Sequence, residues 1–266
     1  MVVIDSLYSI SGKIAPLADM VRVAEDGGCA LIIDETHAFG CHGPDGAGLV
    51  VEQGLADRVH FRTIGLSKAM AARGGVVIGS RKNMEYFRYE ARPLIFSTSV
   101  LGYEVAGFDA TLDIIAAEPW RREQLHANHL YLKDGLLALG CDLRESDSQI
   151  ISIVTGTIED SAIFRQFLEE RGVMGSPFCA PAAPENKAFM RLTVNSTLTR
   201  QQLDHTLNVC AEALRKLDTT RWPGLLNVRD PLPNVPKKTT NVVPVFGSNG
   251  VIEGNGQQLL SVRLPR

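Results

Sequence analysis

Apolar residues along the chain occur either in short continuous runs or in longer stretches with helical spacing. The short runs are rich in Val and Ile, a pattern that predicts buried strands. They cover residues 2–4, 29–33, 60–64, 75–78, 150–155 and 191–194. Helical spacing covers residues 16–26, 83–89, 102–117, 120–138, 159–171 and 200–217. Because strands and helices alternate from the first residues onward, the pattern predicts an α/β fold.

Two changes in the pattern predict domain boundaries. Glu118 and Pro119 break the long apolar helix before them, so we expect one domain over residues 1–118 and a small α+β domain over 119–217. After residue 217 the chain becomes rich in Pro, Gly and Asn, a composition that buries little apolar surface. We therefore expect residues 218–266 to be a linker or a poorly ordered tail.

The composition excludes several classes of protein. The chain has 266 residues, of which 45% are hydrophobic, and a net charge of −3. This length is enough for a sizeable core, and no basic stripe is present for nucleic acid or anionic lipid. No stretch reaches the about 18 apolar residues of a membrane span, and the start is unlike a signal peptide. The five scattered cysteines favour a reducing, cytoplasmic compartment.

A carboxylate and a lysine occur at positions that an open α/β sheet brings together. Asp34 ends the apolar run at residues 29–33, and Lys68 follows the next predicted strand. Ligands of such sheets bind at the carboxyl ends of the strands. Pyridoxal phosphate (PLP) needs this pair, because an acidic group keeps its pyridine nitrogen protonated and a lysine amine forms a Schiff base with its aldehyde. The two residues therefore predict a PLP site.

Four runs of sequence resemble the α-oxoamine synthases, which are fold-type I PLP enzymes that condense an amino acid with an acyl-CoA. They are VVIDSLYSISGKIAPLADM, IIDETHAFGCHGPDGAG, GLSKAMAARGGVVIGS and IFSTSV, and the resemblance covers about residues 2–217. The DETHAFG run and SPFCAPAAPENK are most similar to family members that make aminoketone quorum-sensing signals. The resemblance implies an aspartate aminotransferase-like fold, PLP as cofactor, an amino acid and an acyl-CoA as substrates, and a homodimer.

The same resemblance implies a longer N-terminal portion before Met1, which opens directly into a strand pattern. In relatives that portion supplies further strands of the sheet, a turn that holds the cofactor phosphate and an aromatic residue stacked on the pyridine ring. Residues 1–118 would then form only part of the large domain. Uncovered strands expose apolar faces, so we expect the chain alone to bind PLP weakly. A non-catalytic fragment is therefore one alternative.

The resemblance gives roles to three residues of the DETH and SKA motifs. Lys68 would hold the cofactor and take the substrate α-proton, Asp34 would pair with the pyridine nitrogen, and His37 would hydrogen-bond the phenolic oxygen. The ordinary alternatives are a surface lysine, a helix N-cap and a structural histidine. A zinc site from His37, Cys41 and His42 fits no standard spacing and lacks a fourth ligand, so no metal is expected.

Further residues match positions that contact the cofactor or the substrate in relatives. Ser9 matches a serine beside the phenolic oxygen, and Thr98 matches the segment that reaches the cofactor phosphate of the neighbouring subunit. The alternatives are a turn serine and a Ser/Thr-rich turn after a strand at residues 94–96. Arg191 matches the arginine that binds the substrate carboxylate, for which a guanidinium offers a bidentate grip. A solvated arginine at a strand edge is the alternative.

Two positions depart from the family pattern. Gly65 stands where many relatives have a Thr or Ser that binds phosphate, so either Ser67 or Thr63 compensates or the grip on phosphate is weaker. Cys179 stands where some relatives that use alanine have a second arginine, which suggests a different amino-acid pocket. Other PLP enzymes stay open as alternatives, namely an aminotransferase, a glycine C-acetyltransferase or an 8-amino-7-oxononanoate synthase.

Overall fold

The structure is a computed structural model that describes residues 1–220 and residue 222. Its first sheet has the order β1-β2-β3-β4 and its second sheet the order β5-β7-β6. The strands are Val2–Asp5 (β1), Leu31–Asp34 (β2), Phe61–Gly65 (β3), Gly75–Gly79 (β4), Ile150–Gly156 (β5), Ser176–Phe178 (β6) and Ala188–Thr193 (β7). The α-helices are Leu17–Asp26 (α1), Leu49–Glu52 (α2), Arg81–Glu90 (α3), Arg92–Ile95 (α4), Gly102–Ala117 (α5), Trp120–Ala138 (α6), Ile158–Glu169 (α7) and Arg200–Lys216 (α8).

The first sheet is mixed. Strands β1, β2 and β3 run parallel, and β4 pairs antiparallel with β3. Helix α1 connects β1 to β2, as expected for a parallel crossover, and its buried face carries Leu17 and Val21. These two side chains pack in one cluster with Leu31 and Ile33 of β2. Burial in β2 alternates because successive side chains point to opposite faces of the sheet, and the face with Leu31 and Ile33 packs against α1.

The second sheet is antiparallel, and the largest apolar cluster of the described residues packs on it. Every residue of β5 is buried, and helices α6, α7 and α8 supply side chains to the cluster on this sheet. Ile150, at the start of β5, packs instead with the cluster of the first sheet. Gly12 permits this approach, since a Cβ at its positive φ of 72° would lie 2.0 Å from the Ile150 carbonyl oxygen. The two sheets therefore meet along β5.

Residues 81–117, with helices α3, α4 and α5, form a contrasting region that we call the exposed flank. None of these three helices has a buried side chain. Large apolar side chains face outward there, including Phe96 at 84% exposure and Tyr103 at 74%. Contiguous apolar surface of this kind is unusual for a protein surface that stays in water.

Most of the expected strands and helices occur in the structure, but residues 94–96 do not form a strand. They lie in and directly after α4, where the Leu94 and Ile95 amides donate to the Ala91 carbonyl. Pro93 favours this outcome, because its fixed φ suits the first turn of a helix. The short strand β6 and the short helix α2 were not expected from the sequence.

The expected boundary at residue 118 falls between α5 and α6 and stays a prediction. Of the expected tail, residues 218–220 and 222 are described, and the rest lies outside the described residues. All five cysteines lie in the described part and are free thiols. Among the described residues, no helix is long and apolar enough to cross a membrane.

Candidate active site

The carboxyl ends of β2 and β3 bring the two main motifs to one edge of the first sheet. Asp34 is the last residue of β2 and pairs with Thr63 in the parallel neighbour β3. The chain leaves β2 through the turn that carries His37, and it leaves β3 at Gly65 toward Lys68. Parallel neighbours end on the same side, so both turns emerge together. The convergence expected from the sequence is therefore present.

Both carboxylate oxygens of Asp34 accept hydrogen bonds. Oδ1 accepts the backbone N–H of Thr36 at 2.9 Å, and Oδ2 accepts the Thr63 hydroxyl at 2.7 Å. Within the described residues Asp34 forms no ion pair, so its charge is oriented but not neutralised. Burial and the charge of Asp34 together raise the pKa of Asp5 on the adjacent strand. The bond to Thr36 also caps the turn that follows β2. The alternative interpretation of Asp34 was a cap of a helix, and the segment that it caps here is a turn.

The departure at Gly65 has a local explanation. Its backbone N–H donates to the Thr36 hydroxyl at 2.8 Å, and a Cβ at Gly65 would lie only 3.2 Å from that oxygen. Thr36 thus occupies the space that a side chain at position 65 would need. Thr63 gives its hydroxyl to Asp34, whereas Ser67 lies beside Lys68 in the cleft.

Residues 34–42 form a segment that we call the braced turn. Glu35 in this turn is fully buried and forms an ion pair with Arg62, whose Nε lies 2.5 Å from Glu35 Oε2. Val50 donates its backbone N–H to Glu35 Oε1 at 2.8 Å. Burial raises the pKa of Glu35, while these hydrogen bonds and the charge of Arg62 favour the carboxylate. Gly48 is required here, because a Cβ would lie 2.6 Å from Glu35 Oε1.

His37 is held in the braced turn as a neutral imidazole. Burial lowers its pKa to about 4, and the positive charges of Lys68 and Arg191 act in the same direction. Asp34 acts in the opposite direction but does not outweigh them. At neutral pH the ring therefore keeps one N–H donor and one free nitrogen acceptor.

A cleft of about 540 Å³ opens at this edge and joins the two sheets. The first sheet contributes His37, Ser67 and Lys68, and the second contributes Arg191 from β7. The remaining lining residues are Thr36, Phe39, Gly40, Cys41, Ala69, Ile115, Arg121, Arg122, Leu125, Gln149, Ile150, Thr193, Val194, Asn195 and Ser196. Asp34 does not line the cleft itself but lies near enough to His37 for its charge to act on the imidazole.

Arg191 lies on the central strand of the second sheet and is half-buried rather than solvated. Its Nη1 donates to the Ser9 carbonyl at 2.7 Å, and its guanidinium lies 4.7 Å from the centre of the Phe178 ring. Its Nε is buried and has no hydrogen-bond partner among residues 1–220 and 222. Burial lowers the pKa of Arg191, although a guanidinium stays charged at any ordinary pH. Ser9 therefore contacts the site through its backbone.

The charge of the cleft is one-sided. Lys68, Arg121, Arg122 and Arg191 line it, and no Asp or Glu is among its lining residues in the described part of the chain. Arg121 pairs with Glu118 at the rim, whereas the other three cations have no carboxylate partner among the described residues. Such a cleft favours a ligand with several negative charges.

The family model for aminotransferase class I and II matches residues 1–209. The chain belongs to this family. The CAI-1 autoinducer synthase of Vibrio campbellii is 39% identical over 213 residues, which are 80% of this chain and 54% of that protein. A putative 8-amino-7-oxononanoate synthase of Halalkalibacterium halodurans is 37% identical over 204 residues, 77% of this chain and 52% of that protein.

A solved structure of serine palmitoyltransferase with PLP gives a TM-score of 0.76 at 31% identity, over 80% of this chain and 54% of that chain. These relatives are α-oxoamine synthases, so the resemblance seen in the sequence is confirmed, and with it the fold-type I fold and the dependence of the family on PLP. The chain spans about half the length of the relatives it matches.

The described residues of this aminotransferase-family chain fit PLP. The cofactor carries a phosphate, which suits a cleft lined by cations. The buried Arg191 Nε is a donor that has no partner within the described part of the chain. Lys68 is exposed in the cleft, and Asp34 has lone pairs left beside its two accepted hydrogen bonds.

Two of the highlighted residues lie away from the cleft. Thr98 is exposed on the exposed flank and does not line the cleft of its own chain. Cys179 lines a separate hollow of about 340 Å³ beside α7 and is not among the lining residues of the cleft, so its effect on an amino-acid pocket stays a prediction. No group of side chains in the described part could hold a metal ion. The Cys41 thiol is buried, which raises its pKa to about 11, and His42 faces Gln149.

Sequence reasoning missed three features of the site. Glu35 lies within the DETH motif but was given no role, although a charged residue next to a strand end could have suggested a buried ion pair. Arg122 falls within the helical spacing of residues 120–138, which by itself predicts no role in a site. Gln149 carried no sequence signal, because it contacts the His37 carbonyl and the His42 ring, which lie more than a hundred positions earlier in the chain.

Proposed function

We propose that the protein containing this chain is a PLP-dependent acyltransferase that joins an amino acid to the acyl group of an acyl-CoA. The observation that supports it is the single cleft shared by Lys68, His37 and Arg191 at the edge of a fold-type I sheet. A new bond forms between the amino-acid α-carbon and the acyl carbon, the thioester C–S bond breaks, and CoA leaves as its thiol. Loss of the carboxyl group or another leaving group then gives an aminoketone.

Each residue has a distinct task in this proposal. PLP, when bound, supplies an electron sink for the amino-acid α-carbon. Lys68 holds the cofactor and its Nζ accepts the α-proton of the substrate. Asp34 would hold the proton on the pyridine nitrogen by its negative charge, while neutral His37 would donate its N–H to the phenolic oxygen. Arg191 orients the substrate carboxylate, which places the α-carbon near Lys68.

The assembly that we propose is a cytoplasmic homodimer. The exposed flank supports a second copy, because large apolar side chains such as Phe96 and Tyr103 stay exposed in one chain, even though Phe108 and Ile115 are partly covered. In this dimer Ser67 would contact the phosphate of the cofactor bound to its own chain. Thr98 would contact the phosphate of the cofactor bound to the partner. Light scattering of the purified chain at several concentrations measures this directly, and a monomer at all of them would reject the dimer.

Within this class we favour an autoinducer-type synthase over an 8-amino-7-oxononanoate synthase. Identities of 39% and 37% to the two kinds of relative are too close to decide by themselves. The motif DETHAFG with the later SPFCAPAAPENK run supports the autoinducer type. An oxononanoate product requires an acyl donor with a terminal carboxylate, so turnover of unsubstituted fatty acyl-CoA alone would support our choice, and turnover of the dicarboxylic donor alone would reverse it.

The decisive experiment locates the cofactor on the chain. The full chain is incubated with PLP, reduced with borohydride and digested, and the labelled peptide is identified by mass spectrometry. We expect the label at Lys68, none in Lys68→Ala, and full labelling in the control Lys82→Ala, which alters an exposed lysine on α3. Label that persists in Lys68→Ala would remove the assignment, and absence of label in the wild type would favour a non-catalytic chain.

A further inference from the structure

Gln149 lies directly before β5, yet its side chain reaches across to the braced turn. It is 8% exposed and lines the cleft together with His37 and Lys68. Its Nε2 donates to the His37 carbonyl oxygen at 2.8 Å, and its Oε1 lies 3.2 Å from His42 Nε2. One side chain from the second sheet therefore contacts two residues of the segment that carries His37.

The donor and acceptor roles of this pair of contacts are fixed by chemistry. A carbonyl oxygen only accepts, so the Gln149 atom that faces His37 is the amide nitrogen. The Oε1 atom then faces His42, whose Nε2 must carry a proton to donate to it. This holds whether His42 is neutral or charged. The backbone of Gln149 is fixed as well, because Val194 donates its N–H to the Gln149 carbonyl at 2.8 Å.

Glu35 and Gln149 restrain the braced turn from opposite sides. The Glu35 carbonyl accepts the N–H groups of Ala38 at 3.0 Å and Phe39 at 2.8 Å, which closes the turn on the first sheet. Gln149 adds the only contact that the second sheet makes to the His37 backbone among the described hydrogen bonds. Without it the His37 carbonyl loses its hydrogen bond to Gln149, while the Ala38 N–H keeps its bond to Glu35, so the turn is held from one side only and the imidazole can shift relative to Lys68.

We propose that Gln149 is a positioning residue for His37, which holds the His37 backbone so that the imidazole stays beside Lys68 in the cleft. The inference rests on the proposed function, since it concerns the ring assigned to the cofactor's phenolic oxygen. Sites of this kind need their groups within about 0.5 Å of the working geometry. One hydrogen bond that holds the backbone of His37 can therefore decide whether its ring is in place. Gln149 acts through His37 and is not itself a catalytic residue.

The protonation of His37 offers a readout of its position without cofactor. The charged groups that act on it are Lys68, Arg191 and Asp34, and burial together with the two cations lowers its pKa to about 4. A ring that leaves this position gains water and loses the nearby cations. Its pKa then rises toward the ordinary value of about 6.5.

The test follows the His37 imidazole by NMR as a function of pH in the full chain without PLP. We expect Gln149→Met, which keeps the volume but loses both hydrogen bonds, to raise the His37 pKa by about one pH unit or more. The control is Ser148→Ala, which removes a buried hydrogen bond to the Gly12 carbonyl in the same segment but none to His37. It should lower stability and leave the His37 pKa unchanged.

If Gln149→Met does not fold, Gln149→Glu keeps the acceptor for His42 and loses the donor to His37. Hydrogen exchange at the Ala38 and Phe39 amides then reports the turn, and we expect faster exchange than in the wild type. An unchanged His37 pKa in folded Gln149→Met, or an equal rise in Ser148→Ala, would overturn the proposal. So would unchanged exchange in Gln149→Glu. Failure of PLP to label Lys68 leaves these results intact and counts only against the proposed function.

Discussion

The braced turn and the exposed flank differ in how the chain's own contacts cover them. In the braced turn Glu35 and Ala38 are fully buried, and His42 is 5% exposed. In the exposed flank none of the three helices has a buried side chain, and Phe96 is 84% exposed. Both regions carry residues that resemble functional positions of α-oxoamine synthases, His37 in the first and Thr98 in the second.

The two regions therefore differ in what holds their candidate functional residues in position. The side chains near Lys68 are oriented by ion pairs and hydrogen bonds within one chain, so their geometry is set before any ligand or partner arrives. In the flank such contacts are exposed, as in the Arg81–Glu85 ion pair, and its large exposed apolar side chains favour contact with another polypeptide. We infer that the chain carries its own orienting contacts for the cofactor ring and substrate, while the phosphate contact of Thr98 depends on a partner.

The largest expected effect comes from breaking the buried ion pair of the braced turn. Glu35→Ala leaves Arg62 buried without its carboxylate and should lower the free energy of unfolding by about 3–5 kcal/mol. The matched control on the exposed flank is Glu85→Ala, which breaks the exposed pair with Arg81 and should cost at most about 1 kcal/mol. Urea unfolding followed by circular dichroism measures both. Equal losses would show that the two regions do not differ as described.

The second effect concerns catalysis. Asp34→Asn keeps the shape of the side chain but removes the charge proposed to face the pyridine nitrogen. It should reduce kcat about 10²–10³-fold, the usual loss when one electrostatic contact to developing charge is removed. Thr98→Ala on the exposed flank should instead weaken PLP binding and leave kcat close to the wild-type value. Turnover of Asp34→Asn at the wild-type rate would contradict the assigned role.

A smaller effect should appear in the dependence of stability on pH. Burial lowers the pKa of His129 to about 4, with the charges of Lys133, His126 and His42 adding to the effect. The folded pKa lies below the unfolded value, so the unfolded chain binds more protons between about pH 6.5 and 4. This stabilisation is complete above about pH 6.5 and is lost as the pH falls through that interval.

His129→Gln should therefore reduce the loss of stability between pH 7 and pH 4.5 by about 1–3 kcal/mol relative to the wild type. Urea midpoints at several pH values give the comparison. The exposed flank contains no histidine, so this acid sensitivity belongs to the side of the molecule that holds the braced turn. A wild-type slope in His129→Gln would contradict the pKa assigned to this residue.

The smallest change in stability is expected on the exposed flank. Phe96→Ser replaces a side chain that is 84% exposed and should alter the free energy of unfolding of the single chain by no more than about 0.5 kcal/mol. It should nevertheless weaken self-association, which sedimentation measures. Phe164→Ser, at a side chain 1% exposed, is the buried counterpart and should be strongly destabilising. A large loss of stability in Phe96→Ser at low concentration would mean that Phe96 is covered by its own chain.

The sequence by itself determined the order of most strands and helices, the turn residues around Asp34, and the placement of Asp34 and Lys68 at the same edge of the first sheet. These follow from local causes, since apolar spacing selects the type of element, and the ends of parallel strands necessarily share one edge. It failed at residues 94–96, where three apolar residues suggest a strand but the proline before them starts a short helix.

Only the tertiary structure decided which side chains hold that edge in place. Gln149 and Arg191 reach His37 and Ser9 because the two sheets pack along β5, and the pairs are 112 and 182 residues apart in sequence. Glu35 becomes a buried anchor only because Arg62 and the Val50 amide meet it from different elements. Such contacts depend on packing between distant segments, and local residue patterns carry no information about that packing.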